Sequence, residues 1–239
     1  MTSRFIRLVL ATLSMYIGTH LFVLVFLPFA IVASYLGRVG IPALKQRFVR
    51  SLFAIVGKEL KIAGRENVQP DHEYVIISNY PSFYAGFALV GAFPYARIVA
   101  HAFMKRVPLV GQALSRVGAI FVQPGRNGLG RAAIDISLRD RAITPSIIIL
   151  PEGARTPDGR IKRFRRGFIR ILRQTSLDLL PVTLNGLHQL KPVRRIYADP
   201  AAELEMIIHP PVSHATMLQM SDDDVLKMAH DVIASVYRP

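Results

Sequence analysis

Between Arg7 and Arg38 the chain carries no Lys, Arg, Asp or Glu, across "LVLATLSMYIGTHLFVLVFLPFAIVASYL". At about 1.5 Å of helical rise per residue, positions 8–27 alone are long enough for a hydrocarbon core of about 30 Å. The run is too long for a typical signal-peptide core, and no small-x-small cleavage pattern follows it cleanly. It therefore reads as a membrane-anchoring segment. Pro28 sits where a helix kinks or ends, so a single span and a re-entrant hairpin both fit. We take residues 1–50 as this helix or hairpin and 51–239 as the main domain.

Basic residues flank the run on both sides: Arg4 and Arg7 before it, then Arg38, Lys45, Arg47 and Arg50 after it. The richer side is the later one, which places the main domain on the cytoplasmic face of an inner or cytoplasmic membrane. The formal charge of +14 attracts polyanions, and anionic headgroups account for much of it at about 1 kcal/mol per basic residue near the surface. Nucleic acid is a poor partner: Trp is absent, no nucleic-acid signature occurs, and the cations cluster near the apolar run and one polar turn. The absence of Cys excludes disulfides and thiolate-based metal or redox chemistry.

Beyond "KIAGRENVQPDHE", which reads as a linker, short β-rich runs alternate with helical patterns. Strands are expected at 74–78, 97–102, 119–122, 146–150, 179–184 and 204–209. Helices are expected at 82–92, 105–116, 129–142 and 168–175, with a last one starting near Ser221, where "SDDD" supplies a capping hydroxyl and acids. Several strands are almost continuously apolar, as strands covered on both faces must be. The fold class is α/β: a layered domain whose mostly central sheet is covered by helices.

In open α/β sheets, sites gather at the carboxyl ends of the strands, and three polar turns follow strands here. In "PEGARTPDG", Gly153 permits a tight turn and Arg155 offers a planar fork for phosphate or carboxylate. Lys162, Arg163, Arg165 and Arg166 crowd in behind, as an anion site or a solvated basic loop. In "QPGRNG", glycines and Arg126 and Arg131 precede a helix, a weak anion-binding pattern that matches no nucleotide fingerprint. In "SNYPS", no base stands beside the serines, so Ser78, Asn79 and Ser82 read as helix caps.

Taken in order, "IAGRENV", "VIISNYPSFYAGF", "VPLVGQAL", "VGAIFV", "LPEGART", "FRRG" and "LLPVTLNG" resemble the phospholipid and glycerol-phosphate acyltransferase family, the lysophosphatidate acyltransferases in particular. The likeness covers about residues 60–186. It implies acyl transfer from a thioester of CoA or acyl carrier protein, serving as co-substrate, to a lysophospholipid-type acceptor at membrane lipids. No metal or other cofactor is implied. In that family a histidine takes the proton of the acceptor hydroxyl and an aspartate five residues later orients it. An arginine and a Glu-Gly-x-Arg turn hold the acceptor's phosphate.

The phosphate side carries over as Glu152, Gly153 and Arg155, with Arg126 displaced by two places. The catalytic side does not carry over: Tyr80 stands at the histidine position and Ala85 at the aspartate position. A tyrosine with an ordinary pKa near 10 is ionised in about one molecule in a thousand at pH 7. Three accounts fit: substitutions made to trap an inactive enzyme, natural loss that leaves a pseudoenzyme binding lipid or acyl carrier, or a relocated base. His101 is the nearest candidate for that base, with His72 and His188 less well placed.

Overall fold

The computed structural model describes residues 2–35, 40–123, 146–194 and 197–239. The expected helix at 129–142, and with it Arg126, Arg131 and most of the glycine-rich turn, lies outside these residues. The described chain begins with α1 (Thr2–Tyr35) and α2 (Ile41–Ile55), and then builds a seven-stranded sheet.

The strands are β1 (Leu60–Ala63), β2 (Tyr74–Ser78), β3 (Arg97–His101), β4 (Ile120–Val122), β5 (Ile147–Ile149), β6 (Asp178–Asn185) and β7 (Leu204–Ile208). Their order across the sheet is β1-β7-β6-β2-β5-β3-β4. β2 to β6 run parallel to their neighbours, whereas β7 pairs antiparallel with β6 and carries β1 with it. β2 holds the centre, between β5 and β6, and all five of its residues are buried.

Side chains alternate across such a strand, so β2 feeds two cores. Tyr74 and Ile76 join Leu52, Phe53 and Leu89 on one face, from α2 and α3 (Tyr84–Ala92). Val75 and Ile77 join Phe168, Ile171 and Ile233 on the other, from α5 (Gly167–Gln174) and α8 (Asp222–Ser235). Ser221 caps α8 as expected, its hydroxyl accepting from the Asp224 N–H. α4 (Val110–Arg116), α6 (Leu187–Leu190) and α7 (His214–Leu218) complete the helices.

Two elements differ from the sequence reading. The stretch read as a linker begins inside β1, an edge strand in register with β7, Leu60 opposite Leu204. Its burial alternates residue by residue over only four positions, too few for a period to show. The helix expected at 105–116 is broken: a 3-10 turn at Ala102–Arg106 is followed by Pro108, and α4 begins only at Val110. Pro108 forces Val107 into an extended conformation, and Leu109 takes a positive φ of 62° to restart the chain.

α1 packs along the domain. Met15 is buried, Thr12 Oγ1 accepts from the Ala198 N–H at 3.0 Å, and Thr19 Oγ1 lies 3.2 Å from the Tyr84 hydroxyl. Gly18 makes the close approach possible, because a Cβ there would stand 2.4 Å from Ile55 Cγ2. Leu10, Leu13, Ile17, Leu21, Leu24 and Val25 of α1 remain exposed. Among the described residues no helix is long and apolar enough to cross a membrane. α2 runs through position 50, and its Val49, Leu52 and Phe53 belong to the main core.

Candidate active site

Because β2, β3 and β5 are parallel, the residues after them converge on one edge of the sheet. Tyr80, His101, Pro151, Gly153 and Arg155 all line a single cleft there, of about 1250 Å³.

The turn after β2 is fixed by its neighbours. Asn79 is 1% exposed; its Nδ2 donates to the Leu184 carbonyl at 2.9 Å and its Oδ1 accepts from the Leu184 N–H at 2.8 Å. The backbone ladder of β2 and β6 ends at Ser78 opposite Val182, so the amide side chain prolongs it by one step. This corrects the reading of Asn79 as a helix cap. Ser82 is not the cap either: the N-cap of α3 is Phe83, and the Ser82 hydroxyl, one residue earlier, accepts from the Tyr84 N–H at 3.2 Å.

Glu152 is also turned inward. Its Oε1 accepts from the main-chain N–H of Tyr80 at 2.6 Å and its Oε2 from that of Lys162 at 3.0 Å, at 3% exposure. The Tyr80 carbonyl accepts in return from the Thr156 N–H at 3.1 Å. Burial raises the Glu152 pKa, against the two N–H donors that lower it. With both oxygens committed to backbone, this carboxylate joins two turns and does not line the cleft. The resemblance had grouped it with the phosphate contacts.

Gly153 does face the cleft, at φ +69°, and a Cβ there would stand 2.9 Å from Cζ of Arg165. The bare backbone lets that guanidinium lie over the turn. Among the described residues, the guanidinium groups of Arg155 and Arg165 make no hydrogen bond or ion pair, and both line the cleft. By contrast, Arg166 is paired with Asp223. Lys162 braces the loop by donating from Nζ to the Arg155 carbonyl at 2.9 Å. Two guanidiniums lining one cleft are a donor set of the kind that matches phosphate oxygens. Arg165 stood in the sequence only as one of a basic cluster. The signal that marks it is Gly153, which leaves room for it.

Tyr80 lines the cleft, and its hydroxyl has no hydrogen-bond partner among the described residues. Its pKa is raised by burial, with nearby Arg155 pulling the other way. Ala85 is fully buried in the core of α3 and does not line the cleft. His101 ends β3 exposed, and its Nδ1 accepts from the Phe103 N–H at 3.1 Å. It shares the cleft with Tyr80. Arg126 lies outside the described residues.

Away from the arginines the cleft is apolar, walled by Leu44, Phe48, Phe87, Val90 and Ile98. Phe48 of α2 and Phe87 of α3 meet at 5.7 Å between ring centroids. Lys45, which the sequence offered only as a basic residue flanking the apolar run, also lines the cleft, as does Arg116 at the end of α4.

Residues 59–185 match the model of the acyltransferase family. The chain is 30% identical to a 1-acyl-sn-glycerol-3-phosphate acyltransferase of Limnanthes douglasii over 184 residues, 74% of this chain and 63% of that one. It is 25% identical to a chloroplastic 1-acyl-sn-glycerol-3-phosphate acyltransferase of Brassica napus, covering 72% of this chain but only half of that protein. A relative of the same description from Borreliella burgdorferi is 23% identical, over 75% of this chain and 72% of its own. The fold is that of the crystal structure of the 1-acyl-sn-glycerophosphate acyltransferase PlsC from Thermotoga maritima, with a TM-score of 0.81 over 96% of this chain and 94% of that one, at 23% identity. The chain belongs to the acyltransferase family.

Proposed function

We propose that this protein binds an acyl thioester, of CoA or acyl carrier protein, together with a lysophosphatidate-type acceptor in the cleft, and that Tyr80 and Ala85 leave it with little turnover. The observation that carries this reading is the cleft itself, which joins the unpaired Arg155 and Arg165 to an apolar chamber with Tyr80 at the junction. The arginines suit the acceptor's phosphate, and the chamber suits an acyl chain.

In the transfer, the acceptor hydroxyl oxygen forms a bond to the acyl carbon while the carbon–sulfur bond breaks and the thiol leaves with the proton. A general base contributes roughly 10² to 10⁴ in rate. Tyr80 is a poor base, since burial raises its pKa further, and Ala85 has no group to orient it.

The test supplies radiolabelled acyl-CoA and lysophosphatidate to the full chain in detergent. The chain is expected to turn over at least about 100-fold more slowly than the Tyr80→His, Ala85→Asp double variant. Equal or faster turnover by the unaltered chain overturns the impairment. One observation favours a second reading: His101 opens into the same cleft, so turnover abolished by His101→Ala would make it the base.

We also propose that α1 lies in the lipid interface by its exposed face, Leu10, Leu13, Ile17, Leu21 and Leu24. This holds the cleft mouth, where Phe83 and Phe103 are exposed, against the membrane on its cytoplasmic side. Flotation with anionic liposomes checks the attachment: the chain should float, and changing those five residues to serine should leave it in the soluble fraction.

A further inference from the structure

Lys45 is 6% exposed, yet it lines the cleft. Its ammonium donates to the Pro94 carbonyl at 2.8 Å and to the Ala96 carbonyl at 3.0 Å. An ammonium has three N–H groups. Among the described residues the third has no partner, and no carboxylate pairs with the charge. A tether between α2 and the α3–β3 loop would be served by a neutral donor, whereas a buried cation without a counter-ion is costly.

Its depth follows from the sheet. Pro94 and Ala96 immediately precede β3, whereas His101 ends β3 at the edge where Tyr80 follows β2. Five strand residues at about 3.3 Å each place Lys45 roughly 15 Å from that edge. The wall between is apolar, including Phe87, Val90 and Ile98. A plain hydrocarbon chain lying along it would reach the ammonium and leave the third N–H unpaired.

We propose that Lys45 is a specificity-determining residue that takes a neutral oxygen, hydroxyl or keto, carried on the distal part of the acyl chain. This rests on the acyl-thioester reading of the cleft. The recognition is a charge-assisted hydrogen bond from the third N–H to the chain oxygen, made where little water competes. An oxygen next to the thioester lies at the arginine end and gains nothing from Lys45.

The experiment is equilibrium binding to the full chain in detergent micelles, by calorimetry, of three thioesters: dodecanoyl-CoA, 3-hydroxydodecanoyl-CoA and 12-hydroxydodecanoyl-CoA. The expected result is about tenfold tighter binding of the 12-hydroxy chain than of the other two, with that ratio falling to about one in Lys45→Met. If the variant does not fold, the comparison of the three thioesters on the unaltered chain decides alone. Equal binding of all three, or a preference for the plain chain, overturns the role of Lys45 while leaving the cleft an acyl site. Saturable binding of none of them overturns the acyl-thioester reading, and this inference falls with it.

Discussion

The main-chain N–H of Tyr80 donates to Oε1 of Glu152 at 2.6 Å, across the gap between the turns that follow β2 and β5. The other oxygen of the same carboxylate takes the Lys162 N–H. Glu152 thus ties the Tyr80 turn to the loop that carries Arg155.

Glu152→Gln replaces one acceptor oxygen by an NH₂ group that must face a backbone donor. The variant is expected to lose about 1–3 kcal/mol of stability, read from the urea midpoint at unchanged slope. Affinity for lysophosphatidate should fall with it, because the Arg155 loop is released.

Arg155→Ala should separate these two readouts. Its guanidinium supports no other described group, so stability is expected to stay within about 0.5 kcal/mol. Lysophosphatidate affinity should drop roughly ten- to a hundredfold. Arg155→Lys should recover only part of it, since an ammonium cannot reproduce the fork. Calorimetric titration and a thermal melt of the same samples measure both.

Asn79→Ala removes the side chain that donates to and accepts from Leu184, leaving two buried backbone groups unpaired. We expect a loss of about 2–4 kcal/mol, and hydrogen exchange at the Leu184 amide should accelerate more than at Ile76. Asn79→Asp keeps the acceptor but not the donor and should fall on the same side.

Burial lowers the Lys45 pKa from 10.5 to about 8. Between those values the unfolded chain holds a proton that the folded chain does not, so this group makes stability rise with pH across the window. Below about pH 8 the full penalty of burying the charge applies, up to about 3 kcal/mol; above about 10.5 it is gone. The stability of the unaltered chain minus that of Lys45→Met should therefore increase from pH 8 to 10. A flat difference in paired denaturation curves would contradict the burial of the ammonium.

Much of the fold was legible because β2 and β5 are short, unbroken apolar runs that only a strand covered on both faces explains. The limits of β2 at Tyr74 and Ser78 coincide with the expected ones. β1 was not legible, because an edge strand of four residues needs no continuous apolar run. Pro108 was visible, but the apolar spacing around it suggested one helix and the proline decided otherwise. At the site, the resemblance pointed to the two turns but not to the direction of each side chain. Glu152 and Asn79 are polar residues after strands, where function is expected, and both are turned into the protein to satisfy backbone. Lys45 was hidden for the opposite reason: a lysine beside an apolar run looks like a headgroup contact until α2 is seen folded over the sheet.

The position of β2 between β5 and β6 also sets a timetable. Ile76 pairs with Ile148 and Leu180, so the central strand meets its first neighbour only after about seventy further residues and its second after more than a hundred. During synthesis α1 leaves the ribosome well before them, and domains close only when their last pieces arrive. The helix with the exposed leucines is therefore available to lipid while the Tyr80 turn is still unfolded. If α1 attaches to lipid as proposed, the cleft would be assembled beside that surface rather than carried there complete.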